Sequence, residues 1–197
     1  MTIEIFVTLA AFAFVASITP GPNNLTLFAS GVNYGLARTV PHALGVAGGF
    51  AILLICVGLG LGQLLEQFPA MYQVLKFAGG GYLLYLAWRI ANSGPLEAGE
   101  GCGRPMLFRE AAVFQWVNPK AWVMAVTAMA VFSDPAMFLT SVAIIVVTFI
   151  AINLPCISCW VMFGAGMRRF LSNPRTMRIF NVVMGLALAA SLWPMLR

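Results

Sequence analysis

Charge is what this chain has least of, and negative charge above all: six Asp and Glu stand against eleven Lys and Arg, so that only 9% of 197 residues are charged. A water-soluble domain carries about 25%, which excludes an ordinary soluble fold. The acids sit near the ends of apolar stretches or in the connections, none deep inside, and His42 is the sole histidine. Without a Ser-His-Asp set or a His-Glu pair within the apolar stretches, a hydrolytic intramembrane enzyme has no machinery. The four cysteines, Cys56, Cys102, Cys156 and Cys159, do not form a metal set with one distant histidine. Neither enzyme activity nor a metal or cofactor is expected. The start, Met1-Thr2-Ile3-Glu4, lacks a basic residue, and the apolar stretch after it is too long for a signal h-region. A cleaved secretory leader is therefore not expected.

What fills the chain instead is apolar: 61% of residues are hydrophobic, with a mean hydropathy of +0.91. The pattern resolves into six stretches, about Ile3–Ser30, Pro41–Leu65, Met71–Ala91, Leu107–Phe132, Met137–Met167 and Met177–Leu196. Each matches the roughly 20 residues that cross a bilayer. The connections are short, with a polar, glycine-rich one from Asn92 to Arg104 and a turn at Ser133-Asp134-Pro135. The expected fold is an all-α integral membrane protein with six transmembrane helices. Residues 1–197 form a single transmembrane domain that leaves no room for a separate soluble one.

The basic residues orient the bundle. Connections after the first, third and fifth spans hold Arg38, then Arg89, Arg104 and Arg109, then Arg168, Arg169, Arg175 and Arg178. The opposite side has Lys76 and Arg197 with Glu4, Glu66 and Asp134. Lys and Arg gather on the cytoplasmic side, so both termini are expected outside the cytoplasm. The formal charge of +5 thus reports topology and contact with lipid headgroups, not nucleic-acid binding.

Two of the six stretches are broken. Thr19-Pro20-Gly21-Pro22-Asn23-Asn24 interrupts the first, and Val117-Asn118-Pro119-Lys120 interrupts the fourth. Proline has no N–H and releases a carbonyl from the helical ladder. In hydrocarbon a break survives only against protein or a water-filled cavity. Pro20 and Pro119 are about 100 residues apart, in the first and fourth spans, and an offset of three spans puts the halves in opposite orientation. Approximate repeats 1–95 and 105–197 then form two inverted three-helix units with broken first and fourth helices, as in many secondary transporters. A loose echo of Gly81–Trp88 in Gly185–Trp193 agrees.

Together with Phe77-Ala78-Gly79-Gly80-Gly81-Tyr82 in the third span and Phe114-Gln115-Trp116-Val117-Asn118-Pro119-Lys120 opening the fourth, the Pro-Gly-Pro hexapeptide resembles the lysine exporter (LysE) superfamily. The resemblance is nearest to its homoserine/threonine exporter (RhtB) branch, which includes the small cysteine/O-acetylserine exporters. It covers essentially the whole chain. It implies efflux of amino acids or their derivatives across the bacterial cytoplasmic (inner) membrane, driven by the proton gradient. Carried over by position, it implies a substrate site at Pro20, Gly21, Pro22, Asn23 and Asn24 with Asn118, Pro119 and Lys120. One departure is plain. The family pattern often has an aspartate in or near the first-span motif or in the second span. Here those places read Asn23-Asn24 and Gly45-Val46-Ala47-Gly48-Gly49-Phe50, which leaves no embedded acid for coupling.

Lys120 is the only charge well inside a span, about 20 Å from the start of the fourth at 1.5 Å per residue. An ionisable group there costs several kcal/mol unless paired or hydrated. Glu110 lies some 15 Å back along the axis and is not its partner. Two readings stand: Lys120 holds a substrate carboxylate or takes part in coupling, or it binds carbonyls freed by Pro22 or Pro119. Asn23, Asn24 and Asn118 either cap the half-helices or bind a zwitterion. Gln115 and Trp116, one turn before Lys120, either line the same cavity or pack. His42 is either a proton carrier for coupling or an interfacial residue hydrogen-bonded at the membrane surface. Asn153, before Pro155, marks a kink and offers another amide to a cavity.

Gly45 and Gly49 form a G-x-x-x-G, joined by Gly58, Gly60, Gly62 and Gly79 to Gly81 as close-approach positions. Packing within the chain is the expected use, and a homodimer stays open. Cys156-Ile157-Ser158-Cys159 keeps a thiol-redox transporter in view, since an i, i+3 spacing puts both sulfurs on one face. Against it, the pair sits in one span with no thiol near either break. A passive channel is the other alternative.

Overall fold

The computed structural model describes residues 1–62, 67–93, 104–171 and 173–193, in which every regular element is helical. Helix α1 runs Ile3–Ile18, its first turn closed by Thr2, whose hydroxyl accepts the Ile5 N–H. Its last backbone bond is Thr19 N–H to the Val15 carbonyl, because Pro20 has no N–H to continue the ladder. After an extended Gly21, α2 runs Pro22–Tyr34 with proline in its first turn. The two axes meet at 53°. Gly35 ends α2 at φ 79°, a left-handed conformation that glycine adopts without strain, and α3 (Leu36–Cys56) follows at once, prolonged by a wider π turn over Val57–Leu61.

Helix α4 runs Pro69–Ala91. The fourth apolar stretch is broken as expected: α5 (Phe108–Phe114), a 3-10 turn over Gln115–Val117, an extended Asn118, then α6 (Pro119–Phe132). Asp134 caps a 3-10 turn at Pro135–Met137 that leads into α7 (Phe138–Met167), and α8 spans Pro174–Ala190. By length and apolarity alone, Leu36–Leu61 and Pro135–Leu171 suffice to cross a bilayer, and the bent pair α1–α2 adds a third only if its two arms are one span.

One boundary needs correction. Pro41 does not open the second span, since α3 starts at Leu36 and carries Pro41 inside it. Pro155 lies within α7, a helix of 30 residues that matches the fifth span as expected. A proline inside a membrane helix is tolerated where neighbouring groups satisfy the backbone it frees, which propensity alone does not reveal.

The helices approach closely through glycine. A Cβ on Gly31 of α2 would collide with the Val161 carbonyl oxygen of α7, and one on Gly164 of α7 with the Phe28 carbonyl oxygen of α2. Gly45 and Gly49 of α3 meet α5 in the same way, at Phe108 and Ala112, and Gly79 of α4 meets the Val117 carbonyl. The G-x-x-x-G is thus used inside the chain. One apolar core gathers Leu9, Leu53, Ile145 and Phe149, and another Leu27, Leu83, Phe114 and Leu188. Large apolar side chains also face outward, with Leu139 70% and Phe77 69% exposed, a surface suited to lipid.

The α2–α7 crossing carries a direct test. Gly164→Ala should lower stability by about 1–3 kcal/mol through overpacking, seen as a reduced thermal midpoint in detergent. Gly166→Ala, where an added Cβ meets nothing within 4 Å, should leave the midpoint unchanged.

Candidate functional site

The break after α1 releases a row of carbonyls, and each finds a donor. The Thr19 hydroxyl donates to the Ala16 carbonyl at 3.2 Å. Asn24 of α2 reaches back, its Nδ2 donating to the Ser17 and Thr19 carbonyls at 2.8 Å each. The Ile18 carbonyl, left without a donor because Pro22 has no N–H, accepts Nε1 of Trp160 from α7 at 3.1 Å. Lys120 Nζ donates to the Thr19 carbonyl at 2.7 Å and to its hydroxyl at 2.9 Å. A cation at the C-terminal end of α1 also meets the negative pole of that helix. Gly21 leaves room for this lysine: a Cβ there would sit 2.8 Å from Lys120 Cδ.

The second break is held likewise. Asn118 Oδ1 accepts the Lys120 N–H at 3.2 Å, and Nε1 of Trp122 donates to the Trp116 carbonyl at 2.8 Å. The two breaks are joined by a reciprocal amide pair, Asn23 Nδ2 to Gln115 Oε1 at 2.8 Å and Gln115 Nε2 to Asn23 Oδ1 at 3.2 Å.

Between the breaks lies a small, partly open cavity. Its polar lining is Ser17, Gly21, Asn23, Asn24, Asn118, Lys120 and Asn153, with Val46, Phe50, Met124 and Ile157 among its apolar walls. The N-terminal turns of α2 and α6 both border it, and the first N–H groups of a helix have no intrahelical acceptor. The Asn23 and Asn24 N–H groups belong to that class, since the first backbone bond of α2 is Leu25 N–H to Gly21. Asn153, also in the lining, donates to Ser17 Oγ at 3.1 Å while its own Oδ1 is buried without a partner. Donors, a cation and an unpaired acceptor thus belong to the residues that line one small polar space.

The family model of the LysE type translocator matches residues 14–190, which include both breaks and every residue lining the cavity. The chain belongs to the LysE family of translocators. It is 32% identical over 170 residues to a cysteine/O-acetylserine efflux protein of Klebsiella pneumoniae, covering 83% of this chain and 84% of the relative. It is 29% identical over 183 residues to cysteine/O-acetylserine efflux proteins of Escherichia coli strains O139:H28 and K12, covering 90% of each chain. No solved structure matches the chain. A LysE translocator with helices of this length and apolarity is a multi-pass membrane protein.

Of the positions expected at this translocator's site, Gly21, Asn23, Asn24, Asn118 and Lys120 line the cavity. Pro20, Pro22 and Pro119 shape the breaks from outside its lining. Gln115, fully buried, sits behind Asn23 and also donates to the Ala111 carbonyl. Trp116 gives only its carbonyl. Sequence reading missed Ser17 and Trp160, whose types carry no signal until a broken helix end lies beside them.

His42 is not at the surface. It is 1% exposed, neither ring nitrogen has a partner, and it lines a second small, partly open cavity with Ser30, Asn33 and Arg89. Arg104, beside it, is paired with Glu110 at 2.6 Å, and that hydrogen bond raises the guanidinium above its ordinary pKa. Cys156 is buried and Cys159 exposed, so the two do not share an environment, and neither lines either cavity. Cys102 lies outside the described residues.

Trp160→Phe keeps an aromatic ring but, in losing the five-membered ring of the indole, deletes the donor to the Ile18 carbonyl. It should cost about 1–2 kcal/mol, the penalty for a part-buried carbonyl left unpaired, measured as a lower thermal midpoint in detergent.

Proposed function

We propose that this LysE translocator exports small neutral amino acids or their derivatives, of the class of cysteine and O-acetylserine, across the bacterial inner membrane. The observation that carries the reading is the complementarity of the cavity between the breaks to a zwitterion. A carboxylate fits the N-terminal turns of α2 and α6 beside Lys120. An ammonium fits the unpaired Asn153 Oδ1. The lining holds one cation and no acid, which disfavours a basic side chain on the substrate. The printed function of the relatives, efflux of cysteine and O-acetylserine, agrees with this chemistry.

In this reading residues 1–95 and 105–197 are inverted three-helix halves with six spans in all. One half rocks against the other around the cavity, with both termini outside the cytoplasm. Lys120 holds the carboxylate, and Asn23, Asn24 and Asn118 shape the donor wall. Coupling to protons runs through Lys120 or His42, the two internal groups that exchange one. A bound carboxylate draws Lys120 Nζ away from the Thr19 carbonyl, so binding loosens the joint that holds the end of α1.

In proteoliposomes, export of labelled O-acetylserine should saturate, and Lys120→Met should abolish it or reduce it sharply in protein that remains folded. Comparing arms with and without a pH gradient reads out proton drive. Normal export by Lys120→Met would remove the lysine from the mechanism. Asn153→Ala should raise KM by roughly tenfold, as loss of one hydrogen bond to a charged group requires.

A further inference from the structure

The cavity around His42 has no part in the site between the breaks, yet its chemistry is that of a binding site. Both His42 nitrogens are buried without a partner although the ring lines the cavity. A neutral imidazole offers one donor and one acceptor, and leaving both unused costs free energy unless something in the cavity meets them. Arg89 lines the same space and spends one of its N–H groups on the Arg104 carbonyl. An arginine keeps further donors in a planar fork that suits a carboxylate. The other polar groups are largely committed: Asn33 and Asn181 exchange two amide bonds, Asn181 also donates to the Ser93 carbonyl, and Ser30 pairs with Thr39. Arg104 is neutralised by Glu110, which itself is absent from the lining. What stays free is a guanidinium, an imidazole and the hydroxyl of Tyr34, which also lines the cavity.

The two cavities share their walls. Asn23 and Asn24 of α2 line the first, and Thr26, Ala29, Ser30 and Asn33 line the second. Their centres are about six residues apart on α2, or roughly 9 Å at 1.5 Å per residue. On α3, Val46 and Phe50 line the first and His42, one turn earlier, the second. Arg89, at the end of α4, belongs to the arginine-rich end that the charge bias assigns to the cytoplasm.

We propose that the cavity of His42 and Arg89 is a second, cytoplasm-facing station for the substrate, in which Arg89 binds the carboxylate and His42 a polar group of the same free amino acid. This inference rests on the exporter reading above. The station loads a zwitterion before it moves along α2 to the site at the breaks.

The test is sided transport of labelled O-acetyl-L-serine in inside-out and right-side-out membrane vesicles. Arg89→Gln should raise KM at the cytoplasmic face by roughly tenfold, with kcat within about twofold and KM at the opposite face unchanged. Arg89→Lys should restore part of the loss, and His42→Phe should shift the same face in the same direction. An equal shift at both faces marks a structural role and overturns the proposal, as does a wild-type KM at both faces in Arg89→Gln. Wild-type vesicles that move no amino acid overturn the exporter reading and this inference with it. Wild-type export with an unshifted Arg89→Gln overturns this inference alone.

Discussion

The freed carbonyls at the end of α1 are the constraint on which the rest of the site depends. In hydrocarbon a backbone oxygen without a donor costs several kcal/mol, and two prolines close together release more than one. Their donors come from α2 (Asn24), α6 (Lys120) and α7 (Trp160). The end of one helix is therefore a joint that fixes three others. The same satisfaction determines what is left for a ligand. Most amides near the breaks are already used, which gives particular weight to the one buried acceptor that is not, Asn153 Oδ1.

Lys120 stands on both sides of this division. Its ammonium is a structural donor to Thr19 and also lines the cavity. The two readings that the sequence leaves open for it are therefore compatible, since a ligand carboxylate competes with the Thr19 carbonyl for the same protons. A ligand that binds one arrangement better than another shifts the balance between them. Under the proposed function, binding and the geometry of the broken helix are linked through that single side chain.

Glycine decides where the broken helices lie. The α2–α7 contact at Gly31 and Gly164 is backbone against backbone, so α2 is firmly located along the length over which it walls both cavities. Contacts of this kind suit a membrane interior, where small residues allow dispersion and close approach to replace the hydrophobic effect. The outward faces, rich in exposed Leu, Val and Phe, need only be apolar.

The positions of both breaks were legible in the sequence because their cause is covalent: Pro20, Pro22 and Pro119 lack an N–H wherever they stand. The extent of α7 and the turn at Asp134-Pro135 were legible for similarly local reasons, apolar length and turn chemistry. The place of Pro41 inside α3 was not, because a proline inside a helix is tolerated or not according to its neighbours. His42 went unread as a buried group because burial belongs to the packing of α3, not to its residue type. Which side chain meets which freed carbonyl was also beyond the sequence. Trp160 lies 142 residues from Ile18, Lys120 101 from Thr19, and Gln115 92 from Asn23. By itself the sequence determined a membrane-embedded helical chain with two broken helices and one internal cation, since composition and missing donors act locally. Only the tertiary structure decided that these features surround one cavity and that a second lies beside it, because hydrogen bonds between distant segments exist only once the helices have packed.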